Sequence, residues 1–549
     1  MKRTTTFLLA CIAVLTLSAE RADYNIIPLP KEVKTDTTQS LTLTSGTAIS
    51  YDAANAECTR IALFLQQWVK EATGIRLILT PGDAKALIRL TLNKPVQQKK
   101  KPVALTEQQK ESYTLTIDGG GIQLAAYEPV GLFRAAQTLR KSLPAGKLQA
   151  VEMPYTQIAD QPRFPYRGVL LDCCRHFFSV DFVKQYLDIL ALHGCNQFHW
   201  HLTEDQGWRF EVKSLPQLAQ KGSIREKTVI GPGWMHIYDN TPYGGYYTQE
   251  QCREIVRYAA ERYINVVPEV DMPGHMQSAL HVFPHLGCTG GPYPVGTTWG
   301  VMRDVLCGGN PETLTFLKTV FGELCDVFPS KYIHIGGDEC PKDRWEKCPQ
   351  CQAKIKELGI KEENGRSPED QLQTYLNQEI EQFLASRGRS IIGWDEILAG
   401  GLTDNAIVMS WRGTKGGVEA AKQKHRVIMS PNRFAYFDHP QTKEYSREPR
   451  TTEGYHVSCS KVYSLEPVVP EELSQEEQDC IFGVQANLWT EQVAYPEHAF
   501  YQLLPRLGAM SEVQWCNPEQ KDFDNFKARL PQLEKLYDTM GVTYCLKVE

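Results

Sequence analysis

The sequence predicts an α/β protein: a (β/α)8 TIM barrel over residues 161–549, preceded by a small α+β domain over 23–160 and a leader over 1–22. Three observations predict it. The chain has 549 residues, more than one usual domain length, with enough apolar material (42%) for a large core. From Tyr166 onward, eight short β-rich runs alternate with helical stretches, the rhythm of parallel strands joined by crossover helices. The residues that close those runs are polar or aromatic, as they must be where a barrel presents its working face.

Residues 23–160 hold strand-like pieces at Leu41–Leu43, Ile88–Leu92 and Tyr113–Ile117, and helix-like ones at Thr59–Thr73 and Val130–Leu143. Asp118-Gly119-Gly120-Gly121 turns the chain between two strands, Tyr113–Ile117 and Ile122–Ala125. No catalytic constellation stands out in this part. The barrel strands are read at Arg167–Asp172, Asn196–Leu202, Ile264–Asp271, Tyr332–Ile335, Ser390–Trp394, Ala406–Trp411, Arg426–Ser430 and Phe482–Trp489. Amphipathic stretches at Val180–His193, Gln249–Tyr263, Pro311–Phe328, Pro368–Arg387, Lys415–Lys424 and Glu497–Val513 supply helices. Pro431–Cys480 is too long for a plain connection and reads as a binding excursion.

The leader reading rests on Lys2-Arg3 ahead of the apolar run Phe7–Leu17, with small residues at Ala19 and Ala22 for cleavage. That run is too short to span a bilayer, so an exported protein without a membrane span is expected. A lipid anchor at Cys11 is disfavoured, because most of the apolar run follows that cysteine. A net charge of -6 argues against a nucleic-acid partner. Sixteen cysteines leave fifteen after removal of Cys11. Three of them, Cys340, Cys348 and Cys351 in CPKDRWEKCPQC, fall one ligand short of a closed zinc site, and no partnered Cys-x-x-Cys follows. A loop staple or free thiols is therefore expected, with no metal and no cofactor.

The strand ends deliver Asp172 and Arg175, His199 and His201 with Glu204-Asp205, Glu269 and Asp271 with His275, and Asp338-Glu339. The later ones add Trp394-Asp395-Glu396, Trp411-Arg412, Tyr436 and Asp438 from the excursion, and Trp489 with Glu491. Carboxylates for acid and base work, flat aromatic walls and an Arg to grip hydroxyls suggest glycoside hydrolysis. The usual retaining pair sits about 5–5.5 Å apart and acts from opposite sides of the sugar. Adjacent residues in HIGGDEC suit that division poorly, although Gly336-Gly337 lets the backbone leave strand geometry. The pair points instead to a substrate that brings its own nucleophile, a 2-acetamido oxygen. One carboxyl then protonates the leaving oxygen and its neighbour holds the amide N–H. A carboxyl beside another carboxylate holds its proton more tightly, in the direction an acid needs.

HIGGDEC, with LDCCRHF, HWHLTEDQGWR, EVDMPGH, GWDE and NLWTE in order at successive strand ends, resembles the β-N-acetylhexosaminidases of glycoside hydrolase family 20. The resemblance covers nearly the whole chain after the leader. It implies Glu339 as general acid/base, Asp338 as holder of the acetamido group, and Arg175 as a clamp on the terminal sugar that enforces exo action. It further implies Trp394, Trp411 and Trp489 as acetamido walls and Tyr436 as donor to the acetamido oxygen. Asp438 and Glu491 would hold ring hydroxyls, and Asp205 and His275 would support the pair. The implied partner is a glycan ending in β-N-acetylhexosamine.

Blander readings stand beside these. Asp338-Glu339 alone reads as a cap or a partner for Lys342, Arg175 as an ion-pair partner for Asp172, and Trp411 as the tryptophan most suited to pure core. Two other functions compete. A metal-dependent barrel hydrolase would draw on His199, His201, His275, His334 and Asp338, but the fifth to eighth strands bring no further His. A non-catalytic glycan-binding protein would need a damaged acid/base pair, and this one is intact.

Overall fold

The computed structural model describes residues 19–549 apart from 95, 96, 99, 100, 103, 232–234, 364 and 404. The leader's apolar run and Cys11 lie outside the described residues. The chain divides into two compact units: Glu32–Lys94 and Tyr113–Ala159 belong to the first, Ile26–Lys31 and Asp160–Glu549 to the second.

In the first unit, Tyr113–Asp118 and Gly121–Ala126 form the expected hairpin, closing at Asp118 opposite Gly121. Tyr113, Leu115 and Ile117 are buried while their neighbours point outward, the period-two pattern of a half-covered sheet. The sheet continues from Gly121–Ala126 through Ile88–Leu92 to Ala48–Ser50. Helices Ala56–Thr73 and Pro129–Ser142 pack together, with Phe133 set edge-on against Phe64 and Trp68.

The second unit is a closed barrel of eight parallel strands: β1 (Tyr166–Asp172), β2 (Gln197–His201), β3 (Asn265–Glu269), β4 (Tyr332–His334), β5 (Ser390–Trp394), β6 (Ile407–Ser410), β7 (Val427–Met429) and β8 (Ile481–Leu488). Tyr166, Leu170, Val267, Ile392, Ile407, Met409 and Ile428 form one buried cluster. Within the barrel Gln485 accepts from the Tyr166 hydroxyl (2.8 Å) and pairs with His199 (2.9 Å), so these three buried side chains are linked to one another.

Helices α1 (Val180–Leu192), α2 (Gln249–Ala260), α3 (Pro311–Val327) and α4 (Pro368–Ser386) follow the first four strands. Each starts on a side chain that accepts an orphan N–H: Ser179, Thr248, Asn310 and Ser367. After β6 comes α5 (Lys415–Lys422). The helix expected over Glu497–Val513 is two helices instead, α6 (Pro496–Leu503) and α7 (Arg506–Trp515). Pro505 separates them, since a proline has no N–H to give and its ring crowds the preceding turn. β5 runs into a single tight turn, Asp395–Leu398, and β7 into the long excursion, which contains only short helices such as Asn432–Ala435 and Cys459–Tyr463.

Candidate active site

β4 ends at His334, so Asp338 and Glu339 lie beyond regular strand geometry. Gly336 and Gly337 take φ of 66° and 98°, a region glycine enters freely. Space also demands glycine: a Cβ at Gly336 would sit 1.8 Å from Asp271 Oδ1. The track is pinned on both sides. Gly337 N–H donates to Asp271 Oδ1 (3.0 Å), and the Gly336 and Gly337 carbonyls accept from Trp394 N–H (2.9 Å) and Gln373 Nε2 (2.8 Å). Glu339 and His275 also have positive φ, 44° and 52°, uncommon for non-glycine residues and typical of over-determined functional positions. The outcome is that Asp338 and Glu339 both face one cavity, where a continued strand would have pointed them apart.

That cavity, about 240 Å³, is lined by Arg175, His275, Asp338, Glu339, Trp411, Tyr436, Asp438, Trp489 and Glu491 among others. Two expected site residues do not line it. Asp205 is fully buried and acts through His275, whose Nδ1 lies 3.3 Å from Asp205 Oδ2. Trp394 is 1% exposed and belongs to the barrel core behind Trp489, ring centroids 5.8 Å apart, with its Nε1 donating to Glu269 Oε1 (3.0 Å). So Trp394, not Trp411, is the core tryptophan. Trp411 stacks on Tyr436 (6.0 Å, 14°) and is held by Glu396 Oε2 at 2.9 Å.

His275 ties the pair to the network beneath. Its Nδ1 is 2.7 Å from Glu204 Oε1, and its Nε2 is 3.8 Å from Asp338 Oδ2 and 3.5 Å from Glu339 Oε2. Burial opposes charge on the imidazole, but Glu204, Asp205 and Glu339 prevail and hold His275 well above the ordinary histidine range. Burial raises Asp338 while the His275 charge pulls it back. Asp271, which interacts with Asp338 side chain to side chain, is raised well above its ordinary value by burial and by the Asp338 charge. One oxygen stays unmatched: Asp338 Oδ1 is buried with no hydrogen-bond partner among the described residues.

At the other end of the cavity, Arg175 is both the expected clamp and an ion-pair partner. Its guanidinium meets Asp172 Oδ2 (3.1 Å), Glu204 Oε2 (3.0 Å) and Glu491 Oε1 (3.7 Å) and lies 5.2 Å over the Trp489 ring. Burial pushes Glu491 up to about 7 against the pull of Arg175, and pushes Asp438 up to about 6. Glu491 Oε2 and Asp438 Oδ1 are, like Asp338 Oδ1, buried and unpartnered among the described residues.

Tyr436 and Asp438 reach the site because the excursion briefly joins the barrel. Tyr436 bridges to Asn487 of β8, and Phe437 N–H donates to the Asn487 carbonyl (2.8 Å). The buried Arg506 guanidinium of α7 binds the carbonyls of Phe437, His439 (2.9 Å) and Val457 (3.0 Å). Asn432, His439, Thr452 and Tyr455 also line the cavity from this segment. Sequence reasoning missed them, because no periodicity places loop residues. It noted Glu204, Asp271 and Glu396 as strand-end groups without seeing that they hold His275, Asp338 and Trp411.

The ligand set imagined for a metal hydrolase falls into two groups. His199 Nε2 and His334 Nδ1 meet Glu269 inside the barrel at 3.0 and 2.9 Å, all three fully buried, whereas His275 and Asp338 stand with Asp271 at the cavity. His201, between Glu269 and Glu204, is pushed up to about 10 by them against the effect of burial.

The profile described as "Glycosyl hydrolase family 20, catalytic domain" matches residues 164–518, and "Glycosyl hydrolase family 20, domain 2" matches 23–161. A beta-hexosaminidase of Porphyromonas gingivalis is 38% identical over 95% of this chain, which spans 64% of that protein's length. A beta-hexosaminidase of Vibrio furnissii is 32% identical over 90% of this chain and 77% of its own. Among solved structures, a Streptomyces plicatus beta-hexosaminidase variant in complex with its product GlcNAc superposes with a TM-score of 0.79 at 30% identity, covering 95% of this chain and 96% of that one.

Proposed function

The chain belongs to glycosyl hydrolase family 20, and from that premise we propose that it is an exo-acting, retaining β-N-acetylhexosaminidase. It releases terminal GlcNAc or GalNAc from glycans by substrate-assisted catalysis. One observation carries this reading: the three unpartnered buried carboxylate oxygens, Asp338 Oδ1, Asp438 Oδ1 and Glu491 Oε2, belong to residues that share one cavity with Glu339 and two tryptophans. A buried acceptor without a donor is costly, and a sugar bearing an N–H and ring hydroxyls supplies the donors.

The chemistry follows from the placement. Asp438, Glu491 and Arg175 take the ring hydroxyls. Asp338 accepts the acetamido N–H and thereby turns the amide oxygen toward the anomeric carbon, while the Tyr436 hydroxyl donates to that oxygen. The amide oxygen attacks, the bond to the leaving sugar breaks, and Glu339 gives its proton to the departing oxygen. The product of this step is an oxazolinium ion, whose N–H positive charge strengthens its bond to Asp338. Water then attacks the same carbon from the face just vacated, Glu339 takes its proton, and the ring reopens. Two displacements on one carbon retain the β configuration. Trp411 and Trp489 wall the reacting end with apolar faces.

Hydrolysis of 4-nitrophenyl N-acetyl-β-D-glucosaminide and its galacto epimer, followed by NMR, tests the proposal. The β anomer is expected first, and a thiazoline mimic of the oxazoline is expected to inhibit tightly. Failure of the mimic, together with a mechanism-based label trapped as an ester on a carboxylate, refutes it. We also propose that residues 1–22 direct export, on the strength of Lys2-Arg3 and the run Phe7–Leu17; the N-terminal sequence of the exported protein tests this.

A further inference from the structure

From sequence, a zinc site at Cys340, Cys348 and Cys351 is set aside for want of a fourth ligand, in favour of a loop staple or free thiols. Cys340 stands apart, and Cys348 and Cys351 are joined instead by Cys288 and Cys307, so that all four Sγ atoms lie within 4.8 Å of one another. Cys288 and Cys307 come from the β3–α3 connection. Cys348 and Cys351 begin the short helix Pro349–Glu357 in the β4–α4 connection. Cys307, Cys348 and Cys351 are buried, and Cys288 is half-buried.

We propose that Cys288, Cys307, Cys348 and Cys351 form a tetrahedral structural zinc site. Three sulfur separations are 3.5 Å (Cys307–Cys351), 3.6 Å (Cys307–Cys348) and 3.9 Å (Cys288–Cys351). Four sulfurs placed about 2.3 Å from a central zinc are about 3.8 Å from each other, as the edges of a tetrahedron require. A disulfide needs about 2.05 Å. Cys307 is nearly equidistant from two sulfurs, and Cys351 from two, so the four share one centre and do not sort into two pairs.

The backbone is shaped for the same purpose. The chain after Cys307 presses so closely on Gln350-Cys351 that a Cβ at Gly309 would lie 2.1 Å from the Gln350 carbonyl oxygen. The Gly309 N–H is directed at the sulfurs of Cys307 and Cys351, as thiolate ligands commonly require. Soft thiolates in a closed tetrahedron select zinc over hard cations. Binding converts four thiols and one Zn²⁺ into a Zn(SR)₄ centre and releases four protons, so affinity falls in acid.

The site braces the reacting pair. Leu306 N–H donates to the Pro273 carbonyl (3.0 Å), two residues before His275, and the Leu306 carbonyl accepts from Trp345 Nε1 (2.9 Å) in the segment that leaves Glu339. A metal at the four sulfurs locks these two connections together, and its place away from the sugar cavity makes it structural.

Metal analysis of the purified full chain, independent of any activity, tests the site. About one zinc per chain is expected. Cobalt substitution should show the thiolate-to-cobalt charge-transfer band and the intense visible bands of a tetrahedral thiolate centre. Titration with a mercurial should release the zinc and lower Tm. Cys307→Ser and Cys351→Ser should lose the metal and Cys340→Ser should keep it. If the serine variants do not fold, the wild-type cobalt spectrum decides. Substoichiometric metal after anaerobic reconstitution, a non-tetrahedral cobalt spectrum, or Cys307–Cys348 and Cys288–Cys351 disulfides in non-reducing mass spectra overturn the proposal.

Discussion

Asp338→Asn and Glu339→Gln separate the two halves of the proposed mechanism, because one acts on the nucleophile and the other on the leaving group. In Asp338→Asn an NH₂ group replaces one of the two acceptor oxygens, and set where the unpartnered Oδ1 stood it faces the substrate's N–H. A charge-assisted hydrogen bond contributes about 1.5–3 kcal/mol, and two donors set head to head add to the loss. The bond is strongest once the ring nitrogen is cationic, so the loss falls on the transition state, about 3–4 kcal/mol or 10²–10³-fold in kcat/KM. This factor should be the same for a 4-nitrophenyl glycoside and for a GlcNAc disaccharide, since amide orientation is needed for both. Glu339→Gln should cost the disaccharide about 10²–10⁴-fold and the aryl glycoside far less, because nitrophenolate leaves without a proton. Steady-state kcat/KM on both substrates for both variants is the assay. If a good leaving group rescues Asp338→Asn and not Glu339→Gln, the roles are reversed; if Asp338→Asn stays within about tenfold of wild type, the amide-holding role is wrong.

Four further outcomes are expected. Glu491, near 7, and Asp438, near 6, must be ionised to accept hydroxyls, so kcat/KM should fall as pH drops from 8 through 6, and a flat profile over that range contradicts their role. The same raised values mean that these groups favour the folded state at low pH and lose that contribution as pH rises through 6 and 7. Glu491→Gln should therefore raise Tm more at pH 8 than at pH 5, by on the order of 1–3 kcal/mol of stability, while weakening turnover. Gly336→Ala meets both positive φ and Asp271, and should cost about 2–4 kcal/mol and most activity; Gly541→Ala, with φ of 67° and open space, should cost only about 1 kcal/mol in denaturant melts. Arg506→Leu strands the carbonyls of His439 and Val457, and should raise KM more than it lowers kcat and expose the excursion to limited proteolysis.

The barrel was legible because its determinants are local. Alternating β-rich and amphipathic runs with capping residues such as Ser179 and Thr248 mark strands and helices without knowledge of their partners. The end of the strand pattern also marks which side chains reach the working face, so Arg175, His275, Asp338, Glu339, Trp489 and Glu491 could be named from sequence. The helix break at Pro505 was legible too, and was missed by following periodicity across a proline.

What the sequence by itself determined, then, is the order of elements and the chemistry delivered at their ends, since both follow from period and residue type. Only the tertiary structure decided how those groups meet. Two glycines at positive φ turn Asp338 and Glu339 into one cavity; Asp271, from beyond a different strand, accepts from Gly337 N–H and pins that turn; and Trp394 sinks into the core while Trp411 lines the cavity. The cysteine cluster is the clearest instance. Cys288 and Cys348 are 60 positions apart along the chain, and no local pattern links them. Their meeting depends on two loops crossing above adjacent strands, which is a property of the closed barrel and not of any segment within it.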